Sequence, residues 1–440
     1  MVTNLKSRAR WTRRVALGLA LLALAGCTAR PPGAPAAASR GGEASTLLAA
    51  EGPEPGLDEP PSAVIHVPAA PLRRAAPLTR ANAARAFVSP AETLPALLDL
   101  IRGARRSLYL ETFNFGYDSY GRRIVPLLVE KARAGVEVRV VMDYCGSRFL
   151  PGHRALVQEL RAGGVEVLRY LPRTIRKDDR MVGINIQHRK VYLADGARAL
   201  VGGVNLMREF DTVHQDLLVA LEGPVVADLH REFALDHRAA GGKATLTVPP
   251  VHPGQGTATA RVVVTSPAEG RFEARDAILA GIDAARHTID IENQYLWDDR
   301  LIGRLYAALE RGVRVRLIVP GEEHKAVFKQ IHAEELQRLV ARGAEARLYH
   351  GDPADAHLHA KYYQVDAAWV AVGSTNGDTR ALMDNQELQV VLEDARLAAD
   401  LRTRLFEHDW TRRSVPFVYR PSTVFTGPFR RLLELIDYYM

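Results

Sequence analysis

One constellation of seven residues occurs twice in this 440-residue chain, and each member of the second copy follows its counterpart by 171 positions. The first copy comprises His188, Lys190, Asp195, Gly202, Gly203, Asn205 and Asp216. The second comprises His359, Lys361, Asp366, Gly373, Ser374, Asn376 and Glu387. A paired strand and its turn cannot slip by one residue without turning every side chain to the opposite face. The constant offset therefore indicates two copies of one folded unit, and it predicts a site on a pseudo-two-fold axis where both histidines meet.

The regions around the constellation repeat as well. Short β-like runs at residues 107–111 and 136–143 flank a stretch with helical spacing at residues 124–134. Residues 288–292 and 312–316 repeat the two β-like segments in the second half. This alternation predicts an α/β sheet. The offset changes in the connecting regions, as expected where loops absorb insertions.

The N-terminus predicts a lipoprotein signal peptide over residues 1–26, in which a basic stretch precedes a short apolar run and small residues precede Cys27. Cys27 is the predicted lipidation site, and its acyl chains would anchor the protein to a membrane surface. This predicts an extracytoplasmic position in a bacterial cell envelope. The residue after Cys27 is Thr rather than Asp, which favours the outer membrane in a cell with two membranes.

Composition divides the rest of the chain. Residues 27–79 contain a stretch rich in Pro, Ala, Gly and Ser and predict a tether with a short lead-in. We expect one domain over residues 80–245, a linker over 246–260 and a second domain over 261–440. The second domain ends in an apolar stripe with helical spacing, for which packing on the protein's own core is favoured over docking on lipid.

Residues 187–205 predict a β-hairpin. The dipeptide Asp195-Gly196 is typical of tight hairpin turns, and apolar runs precede and follow it. A turn centred between these two residues would bring His188 opposite Gly203, and the second copy would repeat this pairing. Residues two apart on a strand share a face, so each histidine and the lysine two residues later point the same way.

Each residue type of the constellation has a use in phosphoryl transfer. Imidazole is a nucleophile or general acid near neutral pH, and lysine offers a positive charge to phosphate oxygens. The asparagine amides and the Ser374 hydroxyl can donate hydrogen bonds to the equatorial oxygens, while Gly203 lets backbone N–H groups approach. Asp216 and Glu387 can each fix the tautomer of a histidine. The acidic residues at the two turns are predicted to be structural: Asp195 and Asp366.

The pattern H-x-K-x4-D-x6-G-[GS]-x-N, present twice, resembles the phospholipase D superfamily. The segments at residues 216–224, 376–380 and 385–387 are similar to the cardiolipin synthase branch. The resemblance implies two duplicated α/β/α sandwich domains with the active site at their interface. It also implies a ping-pong reaction through a phosphohistidine without metal or other cofactor. The catalytic set it implies has His188 as nucleophile and His359 as general acid and then base, with Lys190, Asn205, Lys361 and Asn376.

Two departures from the family pattern bear on function. Gly203 stands where Ser is frequent, so one hydroxyl donor is missing in the first half. Typical bacterial cardiolipin synthases carry N-terminal transmembrane helices, whereas this chain has a lipobox.

Several functions fit the motifs. A phosphatidyltransferase would move a phosphatidyl group from phosphatidylglycerol to a second lipid hydroxyl, a hydrolase would release phosphatidic acid, and a nuclease would cleave nucleic acid. The formal charge of +7 falls to +2 without residues 1–26, which argues against nucleic acid as a partner. The intact His, Lys and Asn pairs argue against a scaffold with a dead site. The sequence predicts neither the oligomeric state nor whether water or an alcohol accepts the phosphatidyl group from the intermediate.

Overall fold

The computed structural model describes residues 64–66, 71, 73–177, 180–212, 214–246, 254–321, 326–351 and 357–419. The predicted signal peptide, Cys27, most of the tether and the C-terminal helical stripe lie outside these residues. The domain boundaries stay predictions, since much of the expected linker is also outside the described part.

The strands are, in chain order, β1 (Val64–His66), β2 (Thr79–Phe87), β3 (Ser107–Thr112), β4 (Glu137–Asp143), β5 (Glu166–Tyr170), β6 (Arg173–Lys177), β7 (Arg180–Asn185), β8 (Val191–Ala194), β9 (Arg198–Gly202), β10 (His214–Gln215), β11 (Leu218–Glu222), β12 (Ala258–Ser266), β13 (Arg271–Phe272), β14 (Thr288–Asn293), β15 (Arg314–Pro320), β16 (Glu345–Tyr349), β17 (His357–Leu358), β18 (Lys361–Val365), β19 (Trp369–Gly373), β20 (Glu387–Glu393) and β21 (Ser414–Pro416). The α-helices are α1 (Pro90–Gly103), α2 (Gly121–Arg133), α3 (Tyr144–Ser147), α4 (His153–Ala162), α5 (Glu209–Thr212), α6 (Val225–Ala239), α7 (Glu273–Ala284), α8 (Asp299–Glu310), α9 (Ala326–Val340), α10 (Thr379–Met383), α11 (Ala395–Leu401) and α12 (His408–Arg412). A 3₁₀ turn at Pro267–Glu269 and a π-helix at Arg402–Glu407 complete the described elements.

One sheet of 16 strands runs through both halves. Its order is β5-β4-β3-β8-β9-β11-β2 in the first half and continues as β12-β20-β19-β18-β14-β15-β16-β21, with β13 paired to β12 beside this path. The second half thus repeats the first in reverse order across the antiparallel contact of β2 with β12. In each half, three neighbouring strands run parallel to one another: β3-β4-β5 in the first and β14-β15-β16 in the second. The duplicated α/β fold is therefore confirmed.

Three hydrophobic cores stabilise this sheet. One lies under α1, α2 and α4 in the first half, and another lies under α7, α8 and α9 in the second. The third covers the opposite face and draws apolar side chains from both halves together with α6, α11 and the π-helix. Helices therefore cover both faces, and the shared third core joins the halves through one continuous apolar layer. None of the described helices has both the length and the apolar character needed to cross a bilayer.

The predicted hairpin register is wrong by one residue. Val191 pairs with Val201 and Ala194 with Arg198, so the loop has three residues instead of two. Asp195 and Gly196 both have positive φ, 58° and 67°, and Ala197 is the additional residue. The second hairpin has the same loop length. His188 and His359 therefore do not pair with the positions expected for them.

The acidic residues of the two turns explain this shape. Asp195 has a left-handed conformation, which is uncommon outside glycine. Its carboxylate accepts hydrogen bonds from the backbone nitrogens of Arg105, Arg106 and Ser107, at 2.6–3.0 Å. Asp366 makes the equivalent bonds to residues 286–288. Each of these carboxylates thus ties a turn to the start of the neighbouring strand, and neither contacts a motif histidine.

Candidate active site

Each motif histidine lies just before a hairpin strand, and the opposite half holds its backbone. His188 N donates to the carbonyl oxygen of Gln386 at 2.9 Å, and His359 N donates to that of Gln215 at 2.9 Å. A short parallel pairing of β10 with β17 accompanies the second contact, and a bridge between Gln187 and Gln386 accompanies the first. The two histidines are therefore positioned by backbone bonds that cross between the halves.

The carboxylates also cross between the halves. Glu387 of the second half contacts Nδ1 of His188 through both oxygens, at 2.9 and 3.1 Å. Asp216 of the first half contacts Nδ1 of His359 at 2.7 Å. With Nδ1 of each ring held by a carboxylate, Nε2 is the nitrogen left for chemistry. The sequence predicted that these two acids support the histidines, and the structure supplies the pairing.

The motif lysines are buried beside the histidines. Lys190 and Lys361 are 1% and 0% exposed, and each donates to the carbonyl oxygen of its own motif histidine. Nζ of Lys361 also lies 2.9 Å from Nδ1 of His359 and donates to Oε1 of Gln294 at 3.2 Å. Two buried ammonium groups therefore adjoin the two imidazoles, where an anionic phosphodiester would be stabilised.

The two halves differ at the small residue of the motif. Ser374 Oγ donates to Glu387 and accepts from Leu388 N at 3.1 Å. At Gly203, an added Cβ would lie 2.7 Å from Cγ of Asp216. The Asp216 carboxylate therefore occupies the space that a serine side chain would need. The hydroxyl that the first half lacks is replaced by a carboxylate, which stands closer to the backbone because aspartate is one methylene shorter than glutamate.

The motif asparagines lie next to the loops after β3 and β14. Asn205 Oδ1 accepts from Asn114 N at 3.2 Å and lies 3.4 Å from the Thr112 hydroxyl. Asn376 precedes Gly377, whose N–H donates to the Tyr295 carbonyl at 2.8 Å. Both side chains are buried.

Burial controls the protonation of the site. It lowers the pKa of His188 to about 4 and that of His359 well below its usual value, where the charge of Lys361 acts in the same direction. Burial also lowers the pKa of Lys190 to about 7 and that of Lys361 to about 8. It raises the pKa of Asp216 to about 7. Neutral His188 suits nucleophilic attack. His359 must carry a proton on Nε2 to act as the acid, and the charge of a bound phosphodiester anion would favour that form as it favours the charged lysines.

The arrangement suits transfer at phosphorus. The charge of each motif lysine influences the histidine of the other half, so all four groups belong to one site. One imidazole can attack while the other exchanges a proton with the leaving or entering oxygen. Among the described residues, no group of three or more His, Cys, Asp or Glu side chains could hold a metal ion.

Sequence reasoning missed Arg189, the residue between His188 and Lys190. It is 1% exposed and contacts Asp236 through Nη1 at 2.5 Å. It also donates to the Glu387 carbonyl at 3.2 Å and to Oε1 of Gln386 at 3.2 Å. Arg189 thus ties α6 of the first half to the segment that carries the carboxylate of His188. Arg189 stands among other polar residues at positions 185–190, so the sequence carries no local signal for this role.

Four further side chains near the histidines were not in the predicted site: Phe113, Phe210, His214 and Gln294. Phe113 contacts His188 edge-on, and Phe210 contacts His359 in the same way, with ring centroids 5.1 and 4.9 Å apart. His357, which the sequence assigned to packing rather than metal binding, lies 3.2 Å from Gln294. Phe113 and Gln294 occupy equivalent places after β3 and β14 at an offset of 181, which differs from the 171 of the constellation, so the constant offset alone did not mark them.

The sequence matches the family model "Cardiolipin synthase, PLD-like domain" over residues 97–236 and 278–410, more than half of the chain. The chain belongs to this family. Cardiolipin synthase A of Pseudomonas aeruginosa PAO1 is 32% identical to this cardiolipin synthase-family protein over 333 residues, which is 74% of this chain and 66% of the relative. A probable cardiolipin synthase of Bacillus subtilis is 27% identical over 328 residues, 72% of this chain and 64% of the relative.

This family member therefore spans about two thirds of the length of the curated relatives it matches. Among solved structures, the phosphatidylserine synthase of Haemophilus influenzae is similar with a TM-score of 0.61 at 13% identity, covering 82% of this chain and 94% of that one. At that identity the likeness concerns the fold alone.

Proposed function

We propose that this protein is a phosphatidyltransferase of the cardiolipin synthase type, acting on phosphatidylglycerol or a similar phospholipid. The observation that carries the proposal is the crossed pair of contacts, His188 with Glu387 and His359 with Asp216. Each half alone would have a histidine without its carboxylate, so the two halves form one catalytic unit. Membership of the cardiolipin synthase family supports a phospholipid as the substrate.

In the proposed reaction, the lone pair of His188 Nε2 forms a bond to phosphorus. The bond from phosphorus to the glycerol oxygen breaks, and His359 gives its proton to that oxygen. The lysines and asparagines of both motifs stabilise the negative charge on the equatorial oxygens.

In the second step, His359 takes the proton from a hydroxyl of another phosphatidylglycerol. That oxygen forms a bond to phosphorus, and the bond from phosphorus to His188 breaks. The product is cardiolipin, and both histidines return to their starting states.

A hydrolytic phospholipase D would use the same first step and differs only in the acceptor. Water would replace the second lipid, and phosphatidic acid would be released. The naming of similar proteins as cardiolipin synthases supports the transferase over the hydrolase. A nuclease is the weakest candidate because the chain without residues 1–26 has a net charge of only +2.

The test uses the full chain in detergent micelles with phosphatidylglycerol, and mass spectrometry of the lipids. We expect cardiolipin and free glycerol in equal amounts, and no product from His188→Ala or His359→Ala. The control is His287→Ala, which changes an exposed histidine outside the site. If phosphatidic acid is the only product, the protein is a hydrolase and not a transferase. Robust turnover by either motif variant would contradict the two-histidine reaction.

We also propose that Cys27 is lipid-modified and that the enzyme is anchored on the extracytoplasmic side of a bacterial envelope membrane. The three-part layout of residues 1–27 supports this proposal. A lipid anchor would hold the site close to its substrate at the membrane surface.

A further inference from the structure

Two large apolar side chains, Phe149 and Leu171, are exposed on loops that follow neighbouring strands of the first half. Phe149 is 52% exposed after β4 and α3, and Leu171 is 42% exposed directly after β5. The strands β3, β4 and β5 are parallel, so their carboxyl ends meet at one edge of the sheet. The loops of Phe149 and Leu171 therefore lie at the edge where β3 ends and Phe113 contacts His188.

The loop that carries Phe149 is hydrogen-bonded to the wall of the candidate site. Ser147 Oγ donates to the Phe113 carbonyl at 3.0 Å, and Asn114 Nδ2 donates to the Gly146 carbonyl at 2.7 Å. Because the ring of Phe113 packs on the first motif histidine, this loop belongs to the rim of the site.

Leu171 is connected to the same wall through its neighbour. The hydroxyl of Tyr170 donates to Asn185 Oδ1 at 2.6 Å and accepts from Gln386 Nε2 at 3.2 Å. Gln386 is the residue whose carbonyl oxygen holds the backbone nitrogen of His188. Both exposed side chains are thus linked to the His188 end of the site by a few contacts.

Arginines accompany the two apolar side chains. Arg148 is exposed, and its guanidinium carbon lies 5.3 Å from the ring centre of Phe149. Arg169 precedes Leu171 by two residues and Arg173 follows it by two, and both are half-buried. Each exposed apolar side chain therefore has a cation close to it along the chain.

Two of these charges act on His153, the first residue of α4. Burial lowers the pKa of His153 to about 4, and the charges of Arg169 and Arg148 act in the same direction. Residues 144–173 contain five arginines and two glutamates, a net charge of +3, whereas the whole chain beyond residue 26 has +2. The excess positive charge of the chain therefore lies in this segment.

Apolar side chains beside arginines suit the interface of an anionic bilayer. The apolar atoms can enter the boundary between head groups and acyl chains, while the guanidinium groups attract the anionic head groups. Phe149 and Leu171 are single exposed side chains on separate loops, whereas a stable protein interface needs a larger continuous area. A fluid anionic surface fits this arrangement better than a folded protein partner does.

We propose that one surface at this edge docks on an anionic lipid bilayer, and that it is formed by Arg148, Phe149, Arg169, Leu171 and Arg173. The partner of this docking surface is the bilayer and not the lipid in the site. The inference is therefore independent of which phosphodiester the enzyme cleaves. Docking would hold the rim of the site against the head groups.

The test uses the full chain reconstituted with vesicles of phosphatidylserine and phosphatidylcholine, so that docking is measured without phosphatidylglycerol. Phe149→Cys and Leu171→Cys each receive a thiol-reactive fluorescent dye, and lipids with a nitroxide on the acyl chain quench a dye that enters the bilayer. Cys145 is 5% exposed, and the unsubstituted chain gives the background labelling. We expect strong quenching at both positions.

Val418→Cys is the matched control for the dye. Val418 is 66% exposed and follows β21, which runs antiparallel to β16 and so leads toward the opposite edge of the sheet. A dye at this position should stay in water and escape quenching.

Replacing the charges tests the electrostatic part of the docking surface. In the labelled Leu171→Cys chain, Arg148→Gln with Arg169→Gln should lower the ratio of docked to undocked dye by roughly fivefold for each charge removed. Arg102→Gln with Arg133→Gln is the control, because these exposed arginines stand at the ends of α1 and α2, which lead back to the opposite edge. This control should leave the ratio unchanged.

Three outcomes decide the proposal. Quenching at positions 149 and 171 no stronger than at position 418 would overturn the docking surface. Equal quenching in vesicles of phosphatidylcholine alone would overturn the anionic bilayer as its partner. Strong quenching by a protein that fails to turn over phosphatidylglycerol would support the docking surface and refute the proposed function alone.

Discussion

Gly203→Ser would introduce the hydroxyl that the first motif lacks, and we predict that it damages the site. A Cβ at this position lies 2.7 Å from Cγ of Asp216, whereas ordinary contacts begin at 3.4 Å. Both carboxylate oxygens would lie nearer still, so the carboxylate must shift by at least about 0.7 Å and disturb its contact with Nδ1 of His359, which is now 2.7 Å long. Displacements of this size cost roughly 30- to 100-fold in rate, and overpacking costs about 1–3 kcal/mol of stability.

The second half indicates how the damage can be repaired. There, a serine accompanies the longer carboxylate of Glu387, and the two side chains are hydrogen-bonded. Adding Asp216→Glu to Gly203→Ser reproduces this pair. We expect the kcat/KM of the double variant to exceed that of Gly203→Ser by at least about tenfold. Asp216→Glu alone should also be impaired, because its longer side chain has no serine partner.

The assay measures kcat/KM for phosphatidylglycerol and the melting temperature of all variants. Gly303→Ser is the control, since an added Cβ there meets no atom of the described residues within 4 Å. Activity of Gly203→Ser within threefold of the wild type, or a double variant no better than the single one, would refute the steric argument.

Two further predictions concern ionisable groups, and a third concerns the predicted lipidation site. The kcat/KM profile should fall as the pH rises, first because the general acid His359, whose pKa lies well below its usual value, loses its proton, and then through the pKa values of Lys190 and Lys361 at about 7 and 8, as their charge is lost; a constant rate from pH 6 to 9 would contradict this. Arg189→Met leaves Asp236 buried without its cation and should cost about 3–5 kcal/mol in urea unfolding, less at pH 5 than at pH 8 because protonation relieves the carboxylate; an equal loss at both pH values would exclude this cause. Cys27→Ser should abolish incorporation of a labelled fatty acid, and unchanged labelling would reject that lipidation site.

The duplicated fold was predictable because its signals are local and repeated. The apolar alternation around residues 107–111 and 288–292 predicted β3 and β14, and the fixed offset predicted that both halves share one architecture. The hairpin register was not predictable from the dipeptide Asp195-Gly196 alone. The carboxylate of Asp195 accepts hydrogen bonds from backbone nitrogens far away along the chain, and these bonds stabilise its left-handed conformation. The residues around the turn do not reveal such long-range bonds.

The pairing of acids with histidines was beyond sequence reasoning for a similar reason. His188 and Glu387 are 199 residues apart, and His359 and Asp216 are 143 residues apart. The residue types indicated that a carboxylate supports each histidine, but the fold alone determines which one. Gln294 and His214 were missed because their contacts, with Lys361 and His359, join segments that lie far apart along the chain.

The crossed contacts have a consequence for the timing of biosynthesis. During N-terminal-first synthesis, the first histidine emerges long before the acid that orients it, and that acid belongs to β20, the last long strand of the sheet. Partners so distant along the chain meet late in folding, because loop closure must precede them. A partly made chain therefore holds an incomplete candidate site. Both crossed pairs of histidine and carboxylate are present only when nearly the whole polypeptide has folded.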